Sequence, residues 1–154
     1  MTWNTRMTST PYYPIQTHEL PMLYSLWYDK VVLEQPQNPP LPMLVWCSAL
    51  LAGIEAGEYT LTYRSASAHL LGFVWGAYEA ELERGVLKTL VIDLHATGAH
   101  NQRGKGLVTH FIGWLRAQGA RTLFIGRVRL SVEQAFWMSL GAVTERGVYS
   151  LKLK

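Results

Sequence analysis

The apolar positions change period along the chain, and those changes divide it into elements. Leu20, Leu23, Tyr24, Trp27, Tyr28 and Val31 recur at helical spacing. They predict a helix from an N-cap at Thr17, with Pro21 in its first turn, to about Val32. A short extended segment, Tyr12 to Gln16, precedes it, and residues 1–10 read as a flexible tail. Four prolines between Glu34 and Pro42 enforce a loop. The run from Leu41 to Ala56, stopped by Gly57, is apolar nearly all round, which predicts a helix either deeply buried or part of an interface.

After Gly57 the period becomes two. Glu58 to Arg64 places Tyr59, Leu61 and Tyr63 on one face, Ser65 to Ala68 turns, and His69 to Glu79 returns as the second strand of an antiparallel hairpin. A third strand is predicted from Val86 to about Thr97, then a polar loop, Gly98 to Arg103, and a helix from Lys105 to Gln118. That helix turns Leu107, Val108, Phe111, Ile112 and Leu115 inward and stops at Gly119. Thr122 to Val128 reads as a strand, Ser131 as the cap of a short helix to Leu140, and Val143 to Leu153 as a terminal strand. The order is α+β, shading into α/β: a central mixed sheet flanked by helices, with a crossover over residues 86–128. Residues 11–154 form a single domain in this reading.

Composition narrows the class. With 49% hydrophobic and 16% charged positions the 154 residues are not a disordered chain, and they suffice for a full core. Six Trp, eight Tyr and four Phe exceed what one core of this size needs, so some rings are expected along a groove or an interface. The single cysteine, Cys47, excludes an internal disulfide and lies in an apolar run, as an inert thiol does. No metal site is expected. Residues 1–10 are too polar for a signal peptide, and Leu41 to Ile54 is too short to span a bilayer, so a soluble, cytoplasmic protein with no membrane partner is expected. Net charge is +3, but between Arg103 and Arg129 there are six Arg or Lys and no acid. Such a stretch is a solvated face or a site for a phosphate-rich ligand.

The segment Asn101-Gln102-Arg103-Gly104-Lys105-Gly106-Leu107-Val108 lies between a predicted strand and a helix start. Glycines there bring backbone N–H groups close to an anion, the helix start adds partial positive charge, and Arg103 and Lys105 add full charges. It is not a P-loop: five residues separate Gly98 from Gly104-Lys105, and Gly106 stands where a hydroxyl would hold magnesium. Nor is it a dinucleotide fingerprint, because Thr109 occupies the place of the third small residue.

The segment resembles the coenzyme A site of the GNAT superfamily of N-acetyltransferases: Arg or Gln, two residues, Gly, one residue, then Gly or Ala. Arg103 and Gly106 match, and Val108 departs. The downstream run Ala135-Phe136-Trp137-Met138-Ser139-Leu140-Gly141-Ala142 is similar to the family's aromatic pair followed by Gly-Phe, with Ala142 in place of Phe. The resemblance covers about residues 70–145. It implies a GNAT-like acyl-CoA N-acyltransferase fold in which acetyl-CoA, or another acyl-CoA, lies in a gap between two splayed central strands, placed here between Leu94–Thr97 and Phe124–Val128. Cofactor contacts are then expected from Leu94, His95, Ala96, Thr97, Gln102, Arg103, Gly104, Lys105, Gly106, Leu107, Val108 and Trp137, while His100, in the loop before Arg103, touches either the cofactor or only water.

The resemblance also implies direct attack by an amine on the thioester, without an acyl-enzyme. A base is needed, and Asp93 and His95, two apart on the predicted central strand, are the first candidates, with Glu79 next. The family's usual acid is a Tyr at the place of Trp137, whose indole donates but does not titrate. Ser131, Ser139 or water takes that role, or the activity is degenerate. Tyr28, Trp46 and Trp75 are expected to line the acceptor pocket, and Trp114 a homodimer contact. The acceptor is an amine-bearing small molecule or protein. Two other readings stand beside this one: a catalytically degenerate protein binding coenzyme A as a sensor or regulator, and a nucleic-acid-binding or modifying protein, which ranks lowest because the motif already accounts for the basic residues.

Overall fold

The computed structural model describes residues 10–96 and 98–153. In chain order these form β1 (Tyr12–Tyr13), α1 (Leu20–Glu34), α2 (Met43–Glu55), β2 (Tyr59–Arg64), β3 (Leu70–Glu79), β4 (Arg84–Val91), α3 (Gly98–Gln118), β5 (Thr122–Arg127), α4 (Ser131–Ser139), β6 (Val143–Glu145) and β7 (Val148–Lys152). The strands make one seven-stranded sheet in the order β1-β2-β3-β4-β5-β7-β6. Only β4 and β5 run parallel, joined through α3 as the crossover predicted over residues 86–128. The mixed sheet flanked by helices is therefore as expected.

Two apolar layers sandwich the sheet. Leu107, Val108, Phe111, Ile112 and Leu115 of α3 are all buried, each stabilising the fold by about 1.5–3 kcal/mol. They pack with Tyr59, Leu61 and Tyr63 of β2, which share a face as the alternation requires. On the other face Leu20, Leu23, Trp46 and Leu50 of α1 and α2 close over Phe73 and Trp75. Helix α2 is not deeply buried: Met43, Leu44 and Val45 face solvent, Leu44 at 79% exposure. Cys47 is half-buried, its thiol directed at the Leu20 carbonyl, and burial pushes its pKa up, away from thiolate chemistry.

The sheet divides at its centre. β4 and β5 pair only at Arg84–Thr122, Gly85–Leu123 and Val86–Phe124. Just beyond, each strand carries an extra residue against its outer neighbour. Trp75 and Gly76 of β3 oppose Thr89 and Leu87, leaving Lys88 as a bulge on β4. Tyr149 and Ser150 of β7 oppose Gly126 and Phe124, leaving Ile125 as a bulge on β5. Bulges bend a strand and raise its twist, and two of them side by side turn the parallel pair into a V.

Several boundaries differ from those predicted. β4 stops at Val91 because Asp93 Oδ1 accepts the backbone N–H groups of His95 and Ala96 at 3.0 and 3.2 Å, a side-chain turn that ends the ladder. α3 starts at Gly98 rather than Lys105, so the expected polar loop is its first turns. The terminal strand is a hairpin, since Arg146 and Gly147 both take positive φ (55° and 81°), the geometry of a type I′ turn. Thr17 does not cap α1; a 3-10 turn, Thr17–Glu19, leads into it, with the Gln16 N–H on Glu19 Oε1. Ser131 begins α4 without a capping hydrogen bond. The expected tail falls on residues 1–9, outside the described residues, and on exposed Thr10.

Glu19 is 5% exposed and takes a two-pronged hydrogen bond from Arg64 of β2, tying the start of α1 to the sheet. Those hydrogen bonds hold its carboxyl below the ordinary 4.5, against the opposing effect of burial. A carboxyl depressed on folding contributes stability above its unfolded pKa and loses it as pH falls through the folded value. Denaturant unfolding at pH 7 and pH 3 should therefore show a larger loss for the native protein than for Glu19→Gln. At pH 7 the variant should be less stable by about 3 kcal/mol, because Arg64 is left unpaired.

Candidate functional site

The V between β4 and β5 opens toward the C-terminal ends of both strands. A cavity of about 370 Å³ fills it, lined by Leu87–Leu90 of β4, Ile125, Arg127 and Val128 of β5, Trp137 and Glu133 of α4, and Trp27, Lys30, Val31 and Glu34 of α1, with Pro39, Pro40 and Leu41 at its rim. The gap thus lies seven residues earlier, at Leu87–Leu90, than Leu94–Thr97, since the ladder is lost after Val86. A second cavity, about 330 Å³, runs between α1, the turn after β4 and α4, lined by Asp93, Leu94 and His95 among others. A third, also about 330 Å³, is bounded by Tyr63, Leu71, Asp93, Ala96 and Gly104.

Three charged side chains meet in the gap. Lys30 Nζ donates to the Leu90 carbonyl at 2.5 Å and pairs with Glu133 at 3.0 Å and Glu34 at 3.7 Å. Glu133 is buried, and Lys30 ties it across the opening to α1 and to β4. Burial raises the Glu34 pKa above its ordinary 4.5; Lys30 and Arg129 oppose that, and Glu133 adds to it. The other two cations of the lining point away. Lys88 reaches Glu58 and the Trp75 ring, and Arg127 reaches the Arg146 carbonyl.

The predicted site residues separate into those brought here and those kept away. Leu94 and His95 line the second cavity, and Ala96 and Gly104 the third. Trp137 lines the gap itself at 1% exposure. Asp93 borders the second and third cavities, but it and His95 sit in the turn beyond β4, not on one strand face, and Asp93 orients backbone rather than the imidazole. Thr97 and the His100 side chain lie outside the described residues. Arg103 and Gln102 are exposed on the second turn of α3. Leu107 and Val108 are core side chains and present nothing to a ligand.

The motif glycines are also placed differently. With α3 starting at Gly98, the N–H groups of Gly104, Lys105 and Gly106 fall inside the helix, and the unpaired ones belong to its first four residues. Gly106 faces β1: a Cβ there would fall on the Tyr12 hydroxyl, which donates to the Arg103 carbonyl at 2.7 Å. Gly104 meets only the Ile92 side chain, at an ordinary 3.6 Å. Of the six cations between 103 and 129, Arg103, Lys105, Arg127 and Arg129 lie at the open end of the V. Arg116 and Arg121 lie at the other end of α3, about 20 Å away.

Other candidates lie apart from the gap. Glu79 pairs with Arg84 at the closed end of the sheet, about 23 Å of strand from Val91. Ser131 is exposed at the start of α4 and lines none of the three cavities. Trp46 and Trp75 are core rings, 3% and 7% exposed, with Trp75 Nε1 on Glu58 at 2.9 Å. Tyr28 lies outside the gap, against Tyr24. Trp114 is half-buried on Tyr59 and Phe111, which satisfies much of the ring internally.

What the sequence reading missed is the Lys30–Glu34–Glu133 cluster and Trp27. Lys30 and Glu34 do form an i,i+4 pair, and Glu133 stands one turn before Trp137 on the same helix face. Those signals were present, but 103 residues separate Lys30 from Glu133, and no local pattern joins them. Among the described residues no group of His, Cys, Asp and Glu could hold a metal ion, and no helix is long and apolar enough to cross a membrane.

A seven-stranded mixed sheet that splits between its one parallel pair, with α3 crossing over and α1 and α2 covering the opposite face, is the GNAT acyl-CoA N-acyltransferase fold. No family model matches the chain, and no curated protein does. Solved structures match over nearly their whole length. An acetyltransferase of the GNAT family from Staphylococcus aureus Mu50 is 14% identical with a TM-score of 0.77, over 93% of this chain and 98% of that one. A GNAT superfamily phosphinothricin acetyltransferase from Sinorhizobium meliloti, solved with acetyl-CoA, is 12% identical with a TM-score of 0.73, over 92% and 87%. A putative acetyltransferase from Salmonella typhimurium, solved with its cofactor acetyl-CoA, is 11% identical with a TM-score of 0.72, over 96% and 95%.

The two motif glycines make a paired test of the packing. Gly106→Ala should destabilise the protein by about 1–3 kcal/mol by displacing Tyr12. Gly104→Ala should leave stability unchanged or raise it by up to about 1 kcal/mol, the helix propensity gain. Thermal denaturation of both variants reads the difference.

Proposed function

We propose that the protein is an acyl-CoA-dependent N-acyltransferase that moves an acetyl group from acetyl-CoA, or another acyl group from its thioester, to an amine by direct attack. The observation that carries this is the open edge of β4. From Leu87 onward β4 has no strand partner on its β5 side among the described residues, and that edge faces a cavity of about 370 Å³. An extended ligand arm can add to such an edge by backbone hydrogen bonds. The solved acetyltransferases from Salmonella typhimurium and Sinorhizobium meliloti, which share this fold, hold acetyl-CoA.

The residues fit the cofactor. The β4 edge and the second cavity, with Leu94 and His95, suit the arm; Arg103, Lys105 and Arg129 supply positive charge at the same end for phosphates. Because Gly104 and Gly106 lie within α3, phosphate contact falls to these side chains and to the first turn of the helix. Bound there, acetyl-CoA supplies an activated thioester. His95 and Asp93, beside the second cavity, remain candidates for the base, and Trp27, Val31 and Leu41 give the gap an apolar wall for the body of an amine. A second reading, coenzyme A binding without turnover, rests on Trp137, a ring without a titrating proton in the gap.

Calorimetric titration should show binding of acetyl-CoA and of free coenzyme A. Arg103→Ala should weaken both by about 10–100-fold, the loss of one charge-assisted contact to phosphate. An amine panel should release thiol, and without an amine no acetylated protein should be seen by mass spectrometry. His95→Gln or Asp93→Asn should slow release with cofactor affinity intact. No binding of either ligand ends the reading, and binding without thiol release moves it to the regulator.

A further inference from the structure

Among the described residues the gap cavity and the second cavity share two lining residues, Lys30 and Glu133. One side of this ion pair holds the open edge of β4, the apolar wall of α1 and Trp137; the other holds the turn after β4 with Asp93 and His95. An arm laid along the β4 edge and into the second cavity passes this pair, which stands at the junction of the two spaces of about 370 and 330 Å³. At that junction Lys30 Nζ is held on three sides, by the Leu90 carbonyl at 2.5 Å, Glu133 at 3.0 Å and Glu34 at 3.7 Å.

We propose that Lys30 is the proton donor to the thiolate that leaves during acyl transfer, with Glu133 as its positioning residue, an inference that rests on the acyltransferase reading. Breaking a thioester places negative charge on sulfur, and an ammonium fixed in the gap is a group that stabilises it. Trp137 faces the same cavity and cannot supply a proton, and the Ser131 hydroxyl is not there. Glu133 lies four residues before Trp137 in α4, so its grip on Lys30 brings the ammonium to the helix face that carries the indole.

The protons balance through solvent. The amine nitrogen forms the new C–N bond and gives its proton to the base, the C–S bond breaks with its electron pair on sulfur, and Lys30 supplies the proton that sulfur gains. The base then returns its proton to water and Lys30 takes one up, with Glu34 and Glu133 at 3.7 and 3.0 Å holding the ammonium form. Asp29, Asp93 and His95 on the second cavity, Lys88 and Arg127 on the gap, and Arg129 near Glu34 are other charged or titrating groups around the pair.

The test reads the thiol itself and needs no acceptor. Coenzyme A is bound to the native protein, to Lys30→Met and to Lys30→Arg, and the ultraviolet absorbance of its thiolate is followed as pH rises, with desulfo-coenzyme A complexes as blanks. An opposite charge at contact range moves a titration by about 1–3 units, and Glu133 offsets part of that here. The thiol should ionise about one unit lower on the native protein than on Lys30→Met, a tenfold higher thiolate fraction, and Lys30→Arg should keep most of the shift. Glu133→Gln should reduce it, and an unchanged shift removes Glu133 from the assignment. Equal ionisation on native protein and Lys30→Met, with coenzyme A bound to both, overturns the role of Lys30 and leaves the cofactor reading standing. If the native protein binds but neither Lys30 variant does, Lys30 is structural and the proposal falls. Absence of binding to the native protein overturns the cofactor reading, and this inference with it.

Discussion

The architecture turns on the loss of one ladder. β4 and β5 share three residue pairs and then part, because Lys88 and Ile125 are extra residues on adjacent strands immediately past the last pair. Either bulge alone would bend one strand within a continuous sheet. Together they turn the strands apart, and the sheet loses hydrogen bonds at its centre that must be satisfied by something else. One is satisfied internally, the Leu90 carbonyl by Lys30. The cavities lie where they do because of this opening: α1 and its following loop form one wall, and α4 the other.

An open V in a sheet needs a means of staying open and a means of not collapsing. The apolar layers of α3 on one face and α1 with α2 on the other fix the strands from outside. Across the opening itself the connection is ionic, running from α1 through Lys30 to Glu133. Burying two charges costs several kcal/mol per ion before their attraction is counted, so such a pair adds little net stability over an apolar replacement. Its value is in geometry. The ammonium has hydrogen-bonding partners on β4 and α4, which hold it in the gap. A protein that needed only a closed core would have placed Leu or Met at 30 and 133.

Much of this was legible in the sequence. The helical spacing of Leu107 to Leu115 specified the buried face of α3, and the alternation of Tyr59, Leu61 and Tyr63 specified the face of β2 that meets it. The crossover over residues 86–128, the mixed sheet and the resemblance to acetyltransferases followed from element order and the Arg103–Val108 segment. Where reading failed, a local side-chain interaction or a long-range contact decided. Asp93 folds back on the backbone and ends β4 early, which moves Asp93 and His95 off the strand. The helix continues upstream through Gly98, so the glycines of the motif serve packing, with Gly106 making room for Tyr12. The rings divide between the two cores: Trp46 and Trp75 are buried in the second, while Trp27 and Trp137 reach the gap. The Lys30–Glu133 pair joins distant parts of the chain, and a pattern read over neighbouring residues carries no trace of it.

The central claim is that the β4 edge past Val86 is an unfilled strand position that an acyl-CoA completes. Amide hydrogen exchange measured residue by residue, with and without saturating acetyl-CoA, tests it directly. The account predicts that the amides of Leu87–Leu90 that do not pair with β3 exchange fast in the free protein and become protected with acetyl-CoA, while those of Gly104–Val108 inside α3 are protected in both states. Unchanged exchange along β4, or protection already complete in the free protein, would contradict it.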